Sequence, residues 1–285
     1  MRFFPVKNLP GRQVFPAGRK IAPTSGKDCR PRWGLEYYAP TMKKLLATSL
    51  LCLALATPAS AARPGLTGTL SVVPGLGQMT NGDGWEGLGW LGSVALLYGS
   101  GNSLLRQIGY DLWMYNMYDA YRDARPPAAA GHNLFQNYTA FLNPLNLIDP
   151  VGAPIVAFGA LSGSRTGYPS LRRPSDIAMY GFVGLGEEGL FRGFLFPSFS
   201  QTLGSKWLGA ITSSAVFSVS HATGGTSNLH ASPLIQRFVG GMFFCLQADR
   251  NRYDLRKNIF AHAWYDILVT NDGQIRGIKM ELPLP

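Results

Sequence analysis

Charged residues are scarce in this sequence of 285 residues. Asp, Glu, Lys and Arg make up 15% of the chain, well below the roughly 25% of a typical soluble domain. Apolar residues make up 46%, and the abundance of glycine and aromatic residues suits helices that pack within a membrane. The mean hydropathy is only +0.03, so composition alone does not establish a membrane protein.

Cysteine is also rare, and its three positions form no pattern. Cys29 lies in the N-terminal stretch, Cys52 in an apolar leader and Cys245 alone in an apolar segment. A disulfide-stapled fold is therefore excluded. No internal repeat stands out, which argues against a transporter built from inverted repeats.

The net charge of +10 is concentrated at one end of the chain. Residues 1–41 hold eight Lys or Arg and only two acidic residues, and Lys43 and Lys44 follow directly. From Ala62 onward the balance is only +2. A basic protein often binds nucleic acid, but here the charge lies in the leader, so no nucleic-acid partner is predicted.

Residues 42–61, MKKLLATSLLCLALATPASA, have the three parts of a secretory signal peptide. Two lysines precede an apolar run, and Ala59-Ser60-Ala61 forms an A-x-A cleavage site. Because such a peptide works at the N-terminus, we expect translation to begin at Met42 and residues 1–41 to be a mis-assigned, disordered upstream extension. The alternative is an uncleaved membrane anchor behind a disordered tail.

Residues 62–144 are rich in glycine and aromatic residues, and we expect this region to associate with a membrane. The Gly-rich segment 73–92 lacks the G-x-G-x-x-G and P-loop patterns of phosphate binding, so it is interpreted as a turn followed by a packed helix. Residues 110–125, YDLWMYNMYDAYRDAR, carry aromatic and acidic residues at helical spacing. This pattern predicts an amphipathic helix at a membrane interface.

Apolar segments recur through the rest of the chain, residues 145–285. Most have 11–17 residues, shorter than the ~20 needed for a clean membrane span. They lie at about 147–163, 177–186, 189–199, 207–219, 234–248 and 258–270. Residues 177–199 form one long apolar segment if the charges inside it are included, and ionisable residues in such a setting are usually functional.

Those charges are Glu187, Glu188 and Arg192. Glu188 and Arg192 are four residues apart, so they share a helix face and can pair. Glu187 is rotated by about 100° from Glu188 and is left as a tunable base. An ordinary surface Glu–Arg pair is the alternative interpretation, but the neighbouring residues, GFVGL and FLF, are not typical of a surface.

Two histidine motifs follow. His221 ends an apolar run, four residues after Phe217, and His262 precedes Asp266 by four residues on an apolar helix. A His–Asp pair on one helix face can hold a water, a metal ion or an oxyanion. Each histidine taken alone is more often structural. His132 and His230 lie in predicted loops and are not assigned a role.

The order of these motifs resembles that of the type II CAAX prenyl protease family, also called the CPBP intramembrane proteases. The chain has E-E-x-x-x-R, then F-x-x-x-H, then H-x-x-x-D, each in an apolar segment. Residues 240–244, GGMFF, and 258–263, NIFAHA, also look like segments of this family. The resemblance covers about residues 145–270. It implies an all-α, multi-pass transmembrane helical bundle that acts as an intramembrane endopeptidase.

The resemblance also implies roles for these residues. Glu187 would activate water as general base with the help of His221, and Glu188 would pair with Arg192 to hold the helix. His262 and Asp266 would orient the substrate carbonyl or stabilise the oxyanion. Many relatives have Asn where this chain has Asp266, which puts that role in doubt.

A divalent metal such as zinc is the competing proposal for the mechanism. Glu187, His221 and His262 are the candidate ligands, because His and Glu side chains serve both a metal-dependent and a metal-free hydrolase. The residues alone leave the two mechanisms open.

A non-proteolytic membrane scaffold, or a bacteriocin-immunity-type protein, is the alternative function. All six polar positions are present, which favours an enzyme, since a degenerate scaffold would be expected to have lost some of them. Together with the leader, the resemblance implies a multi-pass protein of a bacterial inner membrane. Its partners would be the lipid bilayer and a peptide or protein substrate, whose identity the sequence does not give.

The leader generates the first prediction. The native protein should begin at Met42 and its mature form at Ala62, because signal peptidase cleaves after the A-x-A site. N-terminal sequencing of the protein purified from its native cells measures both ends. Native peptides derived from residues 1–41 would contradict the assigned start.

Overall fold

The computed structural model describes residues 63–125, 132–166, 174–221 and 231–269. These ranges are helical and contain no strand, so the all-α class is confirmed for the described part of the chain. The α-helices are α1 Arg63–Leu70, α2 Leu76–Thr80, α3 Gly84–Tyr98, α4 Ser103–Asp123, α5 Leu134–Thr139, α6 Gly152–Thr166, α7 Pro174–Glu188, α8 Phe196–Thr202, α9 Lys206–Ser220, α10 Ala231–Arg250 and α11 Arg256–Val269.

Shorter helical elements connect these helices. Two 3₁₀ turns, Ala140–Leu142 and Pro144–Leu147, lead from α5 towards α6, and a π-helix, Gly189–Leu195, joins α7 directly to α8. The apolar segments of the second half of the chain thus coincide with helices. The proposed leader and the upstream extension lie outside the described residues, as does His230.

Polar side chains begin several of the helices. Asp83 caps α3 by accepting a hydrogen bond from the backbone N–H of Glu86, and Asn102 caps α4 through two backbone N–H groups. Asn133 and Gln136 form a reciprocal capping box at the start of α5. Such caps satisfy N–H groups that have no partner within the helix, and each typically stabilises a helix by about 1 kcal/mol.

The long helix α4 lies in the interior of the protein. Nearly every residue from Gly109 to Tyr121 is buried, including the polar residues Asp111, Asn116 and Asp119. The prediction of an amphipathic helix at a membrane interface is therefore wrong for this segment. Its aromatic side chains pack against other helices of the same chain, and its acidic side chains face buried polar groups.

The Gly-rich segment supplies those polar groups for the second half of α4. Gln78 donates hydrogen bonds to the Asn116 backbone carbonyl and to the Asp119 carboxylate, at 3.3 and 3.2 Å. Trp90 donates to the same carboxylate at 3.0 Å. Gly75 has a φ of 81°, a left-handed conformation that glycine adopts readily. The interpretation of this segment as a turn followed by a packed helix is confirmed, and the structure adds a second, shorter helix, α2, within it.

Glycines bring α4 close to α7 and the π-helix. A Cβ placed on Gly186 would lie 2.5 Å from the backbone oxygen of Asp111, and one on Gly189 would lie 3.0 Å from the ring of Tyr115. Side chains larger than hydrogen would therefore push the two helices apart. The N-terminal half of the chain thus packs directly behind the segment that carries Glu187 and Glu188.

Asp149 connects the start of α6 to the turn between α10 and α11. Its carboxylate accepts hydrogen bonds from the backbone N–H of Gly152 at 2.7 Å and from the Asn251 amide at 3.0 Å. Lys257 approaches it at 3.6 Å. Burial acts to raise the pKa of this carboxyl, but these hydrogen bonds and the lysine outweigh burial and lower the pKa below its ordinary value.

Within the described ranges, none of the helices combines the length and the apolar character needed to cross a membrane. The multi-pass arrangement implied by the family resemblance stays a prediction.

Candidate active site

The six predicted site residues come together at one buried place, although they belong to four helical segments. Glu187 and Glu188 end α7, Arg192 lies in the π-helix, and His221 follows the last residue of α9. His262 and Asp266 lie one turn apart on α11. The structure thus unites the three sequence motifs. The role of each residue stays a prediction.

Glu188 is fully buried and all of its partners are polar. Its Oε1 accepts from Arg192 Nη1 at 2.9 Å and from His262 Nδ1 at 2.6 Å, and its Oε2 accepts from the Asn258 amide at 3.2 Å. A carboxylate removed from water is strongly unfavourable unless a cation and hydrogen bonds compensate it. Here the arginine supplies the cation, and two residues of α11 supply the remaining hydrogen bonds.

Arg192 is also completely buried. Its guanidinium lies over the ring of Phe217 at 4.4 Å and over that of Phe244 at 5.0 Å. It donates a further hydrogen bond to the backbone carbonyl of Gly241 at 3.4 Å. Aromatic faces attract a desolvated cation, so the arginine binds α9 and α10 to the helix that carries both glutamates.

Glu187 differs from Glu188 in what surrounds it. Its Oε2 atom is buried and makes no hydrogen bond with the described residues. Two imidazoles face that oxygen, with His221 Nε2 at 3.5 Å and His262 Nε2 at 3.4 Å. The carboxylate is therefore held between two basic groups with one oxygen open, an arrangement that suits a base which must bind and deprotonate another molecule.

Both imidazoles are oriented through their other nitrogen. His221 Nδ1 lies 2.8 Å from the Phe217 backbone carbonyl, which accepts only from a protonated nitrogen. His262 Nδ1 lies 2.6 Å from the Glu188 carboxylate, an acceptor of the same kind. These bonds place a proton on each Nδ1 and turn each Nε2 towards Glu187. The histidines are thus fixed relative to the carboxylate before any substrate binds.

Asp266 lies at the outer side of the cluster. Its Oδ2 is 3.5 Å from His262 Nε2, and its side chain is 16% exposed, against 2% for Glu187. His262 therefore contacts carboxylates on both sides. A substrate that reaches Glu187 from the outside would pass Asp266 and His221, the two site residues that keep the most contact with solvent.

Comparison with known proteins bears on the same segment. The family model of the Rce1-like type II CAAX prenyl endopeptidases matches residues 175–268. The chain carries an Rce1-like domain. No curated protein and no solved structure gives a significant match. The matched range contains all six residues, and the resemblance stated from the motifs is confirmed.

One residue and one helical segment of the Rce1-like domain were not recognised from the sequence. Asn258 bridges Glu188 and the backbone carbonyl of Phe244, at 3.2 and 2.8 Å. It precedes His262 by four residues, so its spacing on the face of α11 that bears His262 and Asp266 was a detectable signal. The π-helix was not detectable in the same way, because each of its backbone hydrogen bonds spans only one residue more than a hydrogen bond of an α-helix.

The donor types of the site suit zinc, and each of the two imidazole nitrogens lies within 3.5 Å of Glu187 Oε2. Glu187, His221 and His262 are ligands that zinc commonly takes. In the described ranges, however, no group of three that contains them has all of its ligand atoms within 4.8 Å of one another. The group that does is Glu86, Asp119 and Asp123, away from the Rce1-like domain. Arg122 already pairs with the last two of these.

His132 lies in a loop, as predicted from the sequence, and its Nε2 is 3.7 Å from a carboxylate oxygen of Asp254. That pair lies between the start of α5 and the turn before α11, and it includes none of the six site residues.

The buried pair at the centre of the Rce1-like domain generates the second prediction. Glu188→Gln should lower the free energy of unfolding by about 3–5 kcal/mol, because it leaves the arginine charge uncompensated in an apolar interior. Glu188→Gln combined with Arg192→Met should recover much of this loss, since no lone charge remains. Thermal unfolding of the purified variants measures both effects.

The control is Asp254→Asn, which breaks a pair with Arg256 whose side chains are 31% and 42% exposed. Exposed pairs contribute at most about 1 kcal/mol. A Glu188→Gln variant no less stable than this control would contradict the central role of the buried pair.

Proposed function

We propose that this protein is an intramembrane endopeptidase in which Glu187 activates the attacking water. The Rce1-like domain supports CAAX-type protease activity. The observation that carries the finer proposal is the open Oε2 of Glu187, which is buried, unbonded and flanked by two oriented imidazoles. Glu188 cannot act as the base that activates water, because both of its carboxylate oxygens already accept hydrogen bonds.

The proposed reaction follows from these positions. Glu187 removes a proton from water while the water oxygen bonds to the carbonyl carbon of the scissile peptide. The carbonyl oxygen then carries negative charge, and His262 would donate a hydrogen bond to it from Nε2. Three nearby carboxylates, those of Glu187, Glu188 and Asp266, favour the protonated ring that this role requires. The C–N bond then breaks as the negative oxygen re-forms the carbonyl, and the proton taken from water is delivered to the departing amine nitrogen.

His221 would assist Glu187 at the start of this sequence. Its Nε2 faces the carboxylate and its Nδ1 is held by a backbone carbonyl, so it can share the proton taken from water. Its place at the end of α9 leaves it partly accessible. We assign Asp266 to orient the ring of His262 from the outer side, a part that an Asn side chain can also fill.

A zinc-dependent hydrolase is the second form of the proposal. Glu187, His221 and His262 would hold the ion, and the ion would supply Lewis-acid polarisation of the carbonyl. We favour the metal-free form because, in the described ranges, these three ligand atoms do not all lie within 4.8 Å of one another, although each imidazole nitrogen lies within 3.5 Å of Glu187 Oε2.

We further propose that the protein resides in a membrane as a multi-pass bundle, in a bacterial inner membrane. Large apolar side chains are exposed along α9 and α10, among them Ile211, Val219, Ile235, Phe243 and Leu246. Exposed apolar surface on neighbouring helices is typical of contact with lipid or a partner. Proteins of the Rce1-like family are membrane proteases, and the proposed leader directs a chain to a membrane.

The third prediction tests catalysis. Glu187→Gln keeps the size of the side chain but removes the base, so peptide cleavage should fall by about 10²–10⁴-fold while the amount of folded protein holds. The control is Asp176→Asn, which removes a half-buried acid from the first turn of the same helix and should leave cleavage unchanged. Cleavage is measured on a membrane-peptide library with each purified protein.

The outcomes separate the candidate functions. A Glu187→Gln protein as active as the wild type would reject the glutamate mechanism. A wild-type protein that cleaves nothing would favour the scaffold. Wild-type activity that disappears with chelator and returns with added Zn²⁺ would select the zinc-dependent form instead.

The fourth prediction tests membrane residence. The protein should stay with the membrane fraction after alkaline carbonate washing, because apolar burial in lipid does not depend on charge. The assay is immunoblotting of the pellet and supernatant. Monodisperse protein recovered without detergent would contradict the proposal.

A further inference from the structure

A third acid lies beside the two glutamates but comes from outside the Rce1-like match. Asp111, on α4, is fully buried. Its Oδ1 accepts from the Gln107 amide at 2.9 Å, whereas its Oδ2 has no hydrogen-bond partner among the described residues. A buried carboxylate oxygen without a hydrogen-bond partner destabilises the fold and is uncommon. The stability of the fold therefore does not explain why an acid occupies this position.

Asp119 on the same helix shows how such a group is normally satisfied. It is two turns further along and nearly as buried, yet Gln78 and Trp90 donate hydrogen bonds to it and Arg122 pairs with it at 2.7 Å. The contrast shows that α4 can carry a fully compensated buried acid. Asp111, whose backbone lies against Gly186 of α7, instead keeps one carboxyl oxygen without a hydrogen-bond partner among the described residues.

The position of Asp111 places it next to Glu187. The backbone of Asp111 contacts Gly186, the residue before Glu187, so closely that only a glycine fits there. This contact brings the Asp111 carboxyl within electrostatic range of Glu187, and also of His262 and Asp266. Asp111 therefore belongs to the same polar cluster, although residues 62–144 lie outside the matched domain.

We propose that Asp111 is a positioning residue of the active site, which holds the water that Glu187 activates through its open Oδ2. Glu187 and Asp111 each have one buried oxygen with no hydrogen bond, and a water molecule has two hydrogens to donate. Fixing a reactant between two acceptors restricts its orientation, and misplacement by 1 Å alone can slow a reaction by about 10²-fold. This inference rests on the proposed hydrolytic function.

The proposal makes the N-terminal half of the chain part of the catalytic unit. The glycine contacts between α4 and α7 would then do more than pack two helices, since they set the distance from Asp111 to Glu187. A protein reduced to the Rce1-like match alone would lack this acid.

Asp111→Ala should lower kcat by about 10–100-fold, with KM within about twofold of the wild type. Its thermal midpoint should stay level or rise, because the variant removes an uncompensated buried carboxyl. Asp111→Asn keeps a carbonyl oxygen and should recover part of the lost kcat. A structural role for Asp111 predicts the opposite pattern, a lower midpoint with kcat unchanged in the folded protein, and that pattern would overturn the proposal.

Asp119→Asn is the matched control on the same helix. It removes the charge from a fully partnered acid, so it should lower the thermal midpoint and leave kcat of the folded protein within about twofold of the wild type. Equal effects of Asp111→Asn and Asp119→Asn on kcat would count against a special place for Asp111.

A double-mutant cycle separates this inference from the proposed function. Asp111→Asn and Glu187→Gln should shift the thermal midpoint non-additively, since neighbouring charges couple and distant ones add. Additive shifts would show that the two acids do not share a site and would reject the inference. If the wild-type protein cleaves nothing, the proposed function fails, and the cycle still decides whether Asp111 belongs to the cluster.

Discussion

The buried ion pair between Glu188 and Arg192 is the interaction on which the rest of the site depends. Both side chains are out of contact with water, so each requires the other and a full set of hydrogen bonds. Those bonds come from His262 and Asn258 on α11, and the rings that enclose the guanidinium come from α9 and α10. Compensating one charge therefore determines the relative positions of five helical segments, α7, the π-helix, α9, α10 and α11.

Because of this pair, the two adjacent glutamates differ in their hydrogen bonding. Glu188 is occupied at both oxygens, whereas Glu187 keeps one oxygen open between two imidazoles. His262 connects them, since its Nδ1 bonds to Glu188 and its Nε2 faces Glu187. Glu188 thus orients His262, and His262 in turn faces Glu187, the proposed base. The stability of the core and the geometry of the proposed active site therefore depend on the same residues.

Close packing behind the site is the second constraint. Gly186 and Gly189 let α4 approach the segment that carries the glutamates, and α4 brings buried acids of its own. The sequence pattern of α4 suggested a helix at a membrane interface, because aromatic and acidic residues recur there at helical spacing. The structure buries it instead, because Gln78 and Trp90 satisfy Asp119 from a distant part of the chain.

The sequence by itself determined the helical segments, the i, i+4 spacing of Glu188 with Arg192 and of His262 with Asp266, and the family of residues 175–268. These features are local, since one helix face is encoded by a period of 3.6 residues. The tertiary structure alone decided that His262 bonds to Glu188, 74 residues away, and that Asp111 lies against Gly186. Such contacts depend on how helices pack against one another. The periodicity within a single helix defines which residues share a face, but it does not define which other helix that face contacts.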